Sequence, residues 1–314
     1  MEIGAYIEQQ RSTLEAWGNF IVGILRPVAR GRLKVEASYR VKDPISARIK
    51  QIRKGYADPT KEMTDLVGAR FVVLTEDDLS PLRNFIESCA EWNAIQSRDP
   101  LFERHDRPDS FGYQSHHYEL RPAAPKQFGA IVVDQHACCE VQIRTLLQHA
   151  YAELTHDSLY KPVQTVPSQA ERLVARSMAL METTDELLSR ALAAIRDANA
   201  PAAFLAEAAE NITGARIDGN SKLLFDLLAQ EFTELISMDS GRTLSSFASD
   251  HSFVLDRISE RAGRGLFEFP AVSLVAFWLA SSLETNIRAR WPLPGSTDEL
   301  ESMLTDLGIG GPVR

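Results

Sequence analysis

Residues 69–75, ARFVVLT, constrain the fold more than any other segment of this 314-residue chain. The run is short, apolar and β-branched, so it reads as a buried strand. Arg70 sits inside it, and a charged side chain within an apolar strand is costly unless it is paired or bound to a ligand.

The flanking segments supply the rest of a sheet. Apolar residues recur at helical spacing over residues 4–29 (Tyr6, Ile7, Leu14, Trp17, Phe20, Ile21, Ile24, Leu25), and Gly31 closes that segment. Residues 33–41 read as extended. Asp43 is a good N-cap and Pro44 suits a first helical turn, which predicts a helix to about Lys54 before the loop marked by Gly55, Asp58 and Pro59. Residues 77–89 and 146–159 read as helices, and residues 113–120 and 138–145 as strands. Residues 99–111, rich in Arg, Asp, Pro and Ser, predict a mobile surface loop. Strands interleaved with helices predict an α+β or α/β domain with one mixed β-sheet flanked by helices.

After Pro162 the strand signals vanish. Residues 166–199 keep a helical period in Ala, Leu, Met and Glu, and residues 201–314 continue as several helices punctuated by Gly and Pro. The expected division is a sheet-bearing domain over 1–165, a long helical segment over 166–200 and an all-helical C-terminal region over 201–314.

Composition narrows the partners. With 44% hydrophobic and 25% charged residues the chain has the balance of a globular protein, and its net charge of −9 argues against a broad nucleic-acid-binding surface. The three cysteines, Cys89, Cys138 and Cys139, form neither a disulfide framework nor a zinc pattern. They read as reduced thiols. The opening MEIGAYIEQQ lacks the layout of a signal peptide, and the apolar stretch 269–283 is shorter than the ~20 residues a membrane span needs. A cytoplasmic protein with no membrane partner is expected, with 269–283 as a buried or interface helix.

Four polar items punctuate the predicted sheet. In SYRVKDPISARIK (38–50), Arg40 and Lys42 are two apart on an extended segment, so they share a side. Ser46 and Lys50 are four apart on the following helix, so they share a face. Such a cluster can hold a polyphosphate, although basic residues on a helix also serve as a plain solvated face. In MTDLVGARFVV (63–73), Asp65 precedes the buried strand that carries Arg70. In FGYQSHHYEL (111–120), Tyr113, Ser115, His117 and Glu119 alternate onto one strand face. In CEVQIRT (139–145), Glu140, Gln142 and Arg144 alternate with Val141 and Ile143.

In this order, and with His149, Glu153 and His156 on the following helix, these strings resemble the synthetase domain of the RelA/SpoT family over roughly residues 30–165. The resemblance implies a nucleotidyltransferase-like fold and a GTP pyrophosphokinase that moves pyrophosphate from ATP to the ribose 3′ hydroxyl of GTP or GDP. It implies ATP contacts from Arg40, Lys42, Ser46, Lys50 and Arg70. Asp65 and Glu140 would be the acids around Mg2+, with Glu140 also the general base. Tyr113 would stack on the acceptor base, and His117, Gln142 and Arg144 would line the same cleft. Phosphoryl-type transfer needs mainly positioning and charge neutralisation, which this kit can supply.

One stretch departs from the family pattern. Where relatives carry a basic residue and an Asn before GYxS, this chain has Asp109, Ser110 and Phe111, with Arg104 and Arg107 in the same predicted loop as candidate replacements. That departure keeps open a tRNA 3′ end or an adenine nucleotide as acceptor, and a non-catalytic nucleotide-binding regulator is the reading from another class. The helical C-terminal region is expected to serve as an ordinary core, a homo-oligomer interface or a regulatory lid.

Overall fold

The structure, a computed structural model, describes residues 2–112, 114–158, 166–293 and 295–309. It divides into two compact units, Met1–Leu192 and Ala193–Arg314.

The first unit contains, in chain order, α1 (Ile3–Val28), β1 (Leu33–Val41), α2 (Pro44–Lys54), α3 (Pro59–Glu62), β2 (Val67–Val73), α4 (Leu79–Ser88), β3 (Trp92–Arg98), α5 (Pro100–Asp106), β4 (His116–Pro122), β5 (Lys126–Phe128), β6 (Ile131–Val133), β7 (Cys139–Thr145) and α6 (Leu146–Ser158). The helix α7 (Ser168–Thr213) starts in this unit and runs on into the second. The main sheet has the order β1-β2-β7-β4-β3, while β5 and β6 form a separate hairpin. The central pair β2 and β7 is parallel and every other neighbouring pair is antiparallel, so the sheet is mixed.

Register and alternation give the sheet two unlike faces. On one, Tyr39, Ala69, Val141 and Tyr118 stand in a row across four strands, followed by Val41, Val67, Cys139 and Leu120. This apolar face packs under α1, whose buried side is Ile3, Ile7, Leu14, Trp17, Gly18, Ile21, Val22 and Leu25. The Trp17 indole donates to the Leu120 carbonyl at 3.1 Å, which satisfies the one polar atom of that ring. The other face carries the polar residues.

Local signals fix the entry to that polar face. The Asp43 carboxylate accepts from the Ser46 backbone amide at 2.9 Å, Pro44 opens α2, and Gly55 closes it in the left-handed region at φ 66°. Residues 99–111, expected as a loop, instead contain α5. The Asp99 side chain accepts from the Leu101 amide at 3.0 Å, and Pro100 stands in the first turn, so the Asp-Pro pair that suggests a loop is a helix start. The strand expected over 113–120 begins only at His116. The edge strand β3 and the β5–β6 hairpin have no counterpart among the elements expected from sequence.

The second unit is helical: after the end of α7 come α8 (Gly219–Glu231), α9 (Ser240–Asp250), α10 (Phe253–Glu260), α11 (Pro270–Leu283), α12 (Ile287–Arg290) and α13 (Thr297–Asp306). Every residue of α11 from Ala271 to Ala280 is buried, which makes the most apolar stretch of the chain the centre of this unit's core. No described helix is long and apolar enough to cross a membrane.

Candidate active site

Two rows of side chains cross the polar face. The first is Arg40, Gly68, Glu140 and Glu119, on β1, β2, β7 and β4; the second is Ser38, Arg70, Gln142 and His117. Gly68 leaves a gap between Arg40 and Glu140, and a Cβ there would meet nothing within 4 Å. The opening lies over the middle of the sheet.

Asp65, just before β2, gathers two cations. Lys42 Nζ lies 2.7 Å and Lys50 Nζ 2.8 Å from the same oxygen, Asp65 Oδ2. Burial alone would push the Asp65 carboxyl up, but the two ammonium groups outweigh it and hold it below the usual carboxylate range. Its other oxygen, Oδ1, is buried and accepts no hydrogen bond among the described residues.

Glu140 is held ionised in a similar way. Burial pushes it up, while the His117 imidazole, 3.4 Å away at Nδ1, and the Gln142 amide, donating at 2.6 Å, bring it below its ordinary value. The charge of Asp65 also reaches Glu140 and opposes its ionisation. Two carboxylates that feel one another, one with an unsatisfied oxygen, suit a cation that takes few protein ligands. Among the described residues no group of three or more His, Cys, Asp or Glu side chains could hold a metal ion, so a metal here would have at most two carboxylates and take its other oxygens from water or phosphate. Mg2+ fits that donor set, because it is bound by one or two carboxylates together with phosphate oxygens.

A second charge cluster sits where β2 and β7 meet α6. Glu153 Oε1 lies 3.1 Å from Arg70, 3.7 Å from Arg144 and 3.5 Å from His149. Arg144 is buried and Arg70 half-buried, whereas Glu153 is largely exposed. Arg70 thus meets the cost of its place in an apolar strand by pairing with a surface carboxylate that an incoming anion could replace.

Of the remaining sequence-predicted residues, Arg40 and Ser46 are exposed, and Arg40 makes no ion pair among the described residues. Tyr113 lies outside the described residues. His116 and His117 point to opposite faces; burial pushes His116 down to about 4, so it stays neutral in the core near Asp99 and Gln96. Arg104 does not stand free for an acceptor phosphate: it is bonded to Glu76 at 2.9 Å and to Gln114. Arg107 is exposed, 3.9 Å from Asp106. Glu119 lies on the strand face expected for it and, by register, in the row of Glu140. Sequence reasoning did not reach Gly68 or Glu182; Gly68 follows from strand register, because it falls between Arg40 and Glu140, but Glu182 has no sequence signal.

A family model described as "Region found in RelA / SpoT proteins" matches residues 39–165. The GTP pyrophosphokinase YjbM of Bacillus subtilis (strain 168) is 25% identical over 138 residues, covering 44% of this chain; the chain spans 62% of that protein's length. Among solved structures, the small alarmone synthetase 1 from Bacillus subtilis superposes with a TM-score of 0.51 at 21% identity, covering 62% of this chain and 97% of that one. A GTP pyrophosphokinase family protein from Streptococcus pneumoniae gives a TM-score of 0.50 at 21% identity, covering 62% and 94%. The mixed sheet with its polar face over β2 and β7 is therefore the fold of the small alarmone synthetases, and residues 39–165 match the region found in RelA/SpoT proteins.

Proposed function

We propose that this chain transfers pyrophosphate from ATP to the 3′ hydroxyl of GTP or GDP. The observation that carries the reading is Glu140, a carboxylate kept ionised by His117 and Gln142 in a row with Arg40 and beside the Lys42–Asp65–Lys50 group. Arg40, Lys42, Ser46, Lys50 and Arg70 would bind the donor, with the two lysines and two arginines offsetting polyphosphate charge. The acceptor would be held by Tyr113, His117, Gln142 and Arg144. Glu140 would take the proton of the 3′ hydroxyl as its oxygen bonds to the β-phosphorus of ATP; the bond from that phosphorus to the α–β bridging oxygen breaks, and AMP leaves. Asp65 and Glu140 would hold Mg2+, which supplies neutralisation of the transferring phosphates.

The test offers β-labelled ATP and Mg2+ to the purified chain with GTP, GDP, ATP or deacylated tRNA as separate acceptors. Label on GTP or GDP is expected, and Glu140→Gln is expected to fold normally yet lose about 10²–10⁴-fold in turnover. Label on tRNA or an adenine nucleotide alone would replace the acceptor assignment. Turnover by Glu140→Gln within a few-fold of wild type would remove Glu140 from the role of base.

A further inference from the structure

The residue next in sequence to Tyr113 is tied to a helix that lies beyond the matched family region. Gln114 is buried, and both ends of its amide are engaged. Its Oε1 accepts from Arg104 on α5, and its Nε2 donates to Glu182 Oε2 on α7 at 2.8 Å. Arg104 also pairs with Glu76 at 2.9 Å and faces Glu182 at 3.6 Å, so the amide sits inside a closed set of two acids and one base. Three residues on, the same face of α7 makes a second grip: Asp185 Oδ2 accepts from Thr145 Oγ1, at the end of β7, at 2.6 Å. One turn of α7 thus holds both the approach to β4 and the end of β7, the two strands that carry His117 and Glu140.

We propose that Glu182 is a positioning residue for the acceptor nucleotide. Through Gln114 and Arg104 it fixes residues 107–112 and 114–115, the stretch that departs from the family's basic pattern at Asp109–Phe111. The fixed backbone stands in for direct phosphate contacts that Arg104, already paired, does not make. The proposal rests on the pyrophosphotransferase reading for the identity of the ligand, but not for the brace itself.

The test compares the full chain with Glu182→Ala, Glu182→Gln and Gln114→Ala, by hydrogen exchange of the substrate-free protein and by steady-state kinetics. Losing a charge-assisted hydrogen bond predicts about tenfold faster exchange over 107–118 in Glu182→Ala, with β2 and β7 unchanged. The KM for GTP or GDP should rise about tenfold, with the KM for ATP and kcat within about twofold of wild type. Glu182→Gln keeps an oxygen to accept from Gln114 and should recover most of both effects. Unchanged exchange over 107–118, or an equal rise in both KM values, would overturn the proposal. If Glu182→Ala fails to fold, Gln114→Ala is read in its place: the same changes in exchange and KM uphold the brace, and their absence overturns it. If wild type labels no guanine nucleotide, the functional reading fails, and exchange alone then decides the brace: lost protection upholds it and unchanged protection overturns it.

Discussion

An alanine at position 18 would place its methyl group 2.5 Å from Tyr39 Cδ2 and 2.9 Å from Val67 Cγ1. Gly18 is therefore what lets α1 lie directly on β1 and β2, beneath the strands that carry Arg40 and Arg70 on the far side. Overpacking of this kind costs about 1–3 kcal/mol, against a helix-propensity gain of up to about 1 kcal/mol for Gly→Ala. A net loss of about 1–2 kcal/mol is expected for Gly18→Ala, read as a lower urea midpoint at unchanged slope. An unchanged midpoint would mean that the Tyr39 ring turns aside at no cost. The cysteines illustrate the same close packing. Burial pushes the Cys138 thiol up to about 12 and the fully buried Cys139 thiol well above its ordinary value, so both are protonated and unreactive at neutral pH.

At the scale of elements, how legible each was depended on how local its cause is. Helix α2 was legible from Asp43 to about Lys54, because Asp43, Pro44 and Gly55 specify its ends through their own backbone chemistry. The polar rows were legible as well: in β7 the alternation of Glu140, Gln142 and Arg144 with Val141 and Ile143 is the pleat itself. Edge strand β3 was not legible, because WNAIQSR buries only Trp92 fully and needs no apolar period to pair on one side. The grip of α7 was not legible either, because Glu182 is 68 residues from Gln114 and Asp185 is 40 from Thr145. That grip has a pH signature. Burial pushes the Asp185 carboxyl up to about 6, although the Thr145 hydroxyl opposes this. An acid whose folded pKa lies above its unfolded value, near 3.9, holds its proton more firmly when folded; stability therefore falls as pH rises from about 4 to about 6. Asp185→Asn keeps an acceptor for Thr145 and removes the charge. It is expected to gain about 1 kcal/mol at pH 7 and to match wild type at pH 4, read from denaturation followed at Trp17 and Trp92. A loss at pH 7 would show instead that the ionised carboxylate is a net stabilising partner of Thr145.

At the scale of the whole molecule, each unit has its own core, and the residues that resemble the synthetase family all lie in the first. The second unit is closed by apolar burial around α11 and by paired ions at its rim. Arg261 binds Asp306 at 2.6 and 3.0 Å, and Arg288 binds Glu301 at 2.6 and 2.9 Å, which ties the residue that caps the end of α10, and α12, to α13. Rim pairs of this kind add little, so its stability should rest on the buried side chains of α11. Phe277 is fully buried there, beside Phe267 at a ring separation of 6.4 Å. Truncating it to alanine removes the ring and leaves a cavity, at a cost of about 3–5 kcal/mol. The four tryptophans divide two and two, with Trp17 and Trp92 in the first unit and Trp278 and Trp291 in the second, so phenylalanine replacements within either pair let fluorescence follow one unit at a time. Two cores within one chain are expected to melt in separate steps, and Phe277→Ala should lower only the step reported by Trp278 and Trp291. Nucleotide transfer, measured below both transitions, should stay near wild type. If the Trp17 and Trp92 signal falls by the same amount, the two cores unfold as one cooperative block.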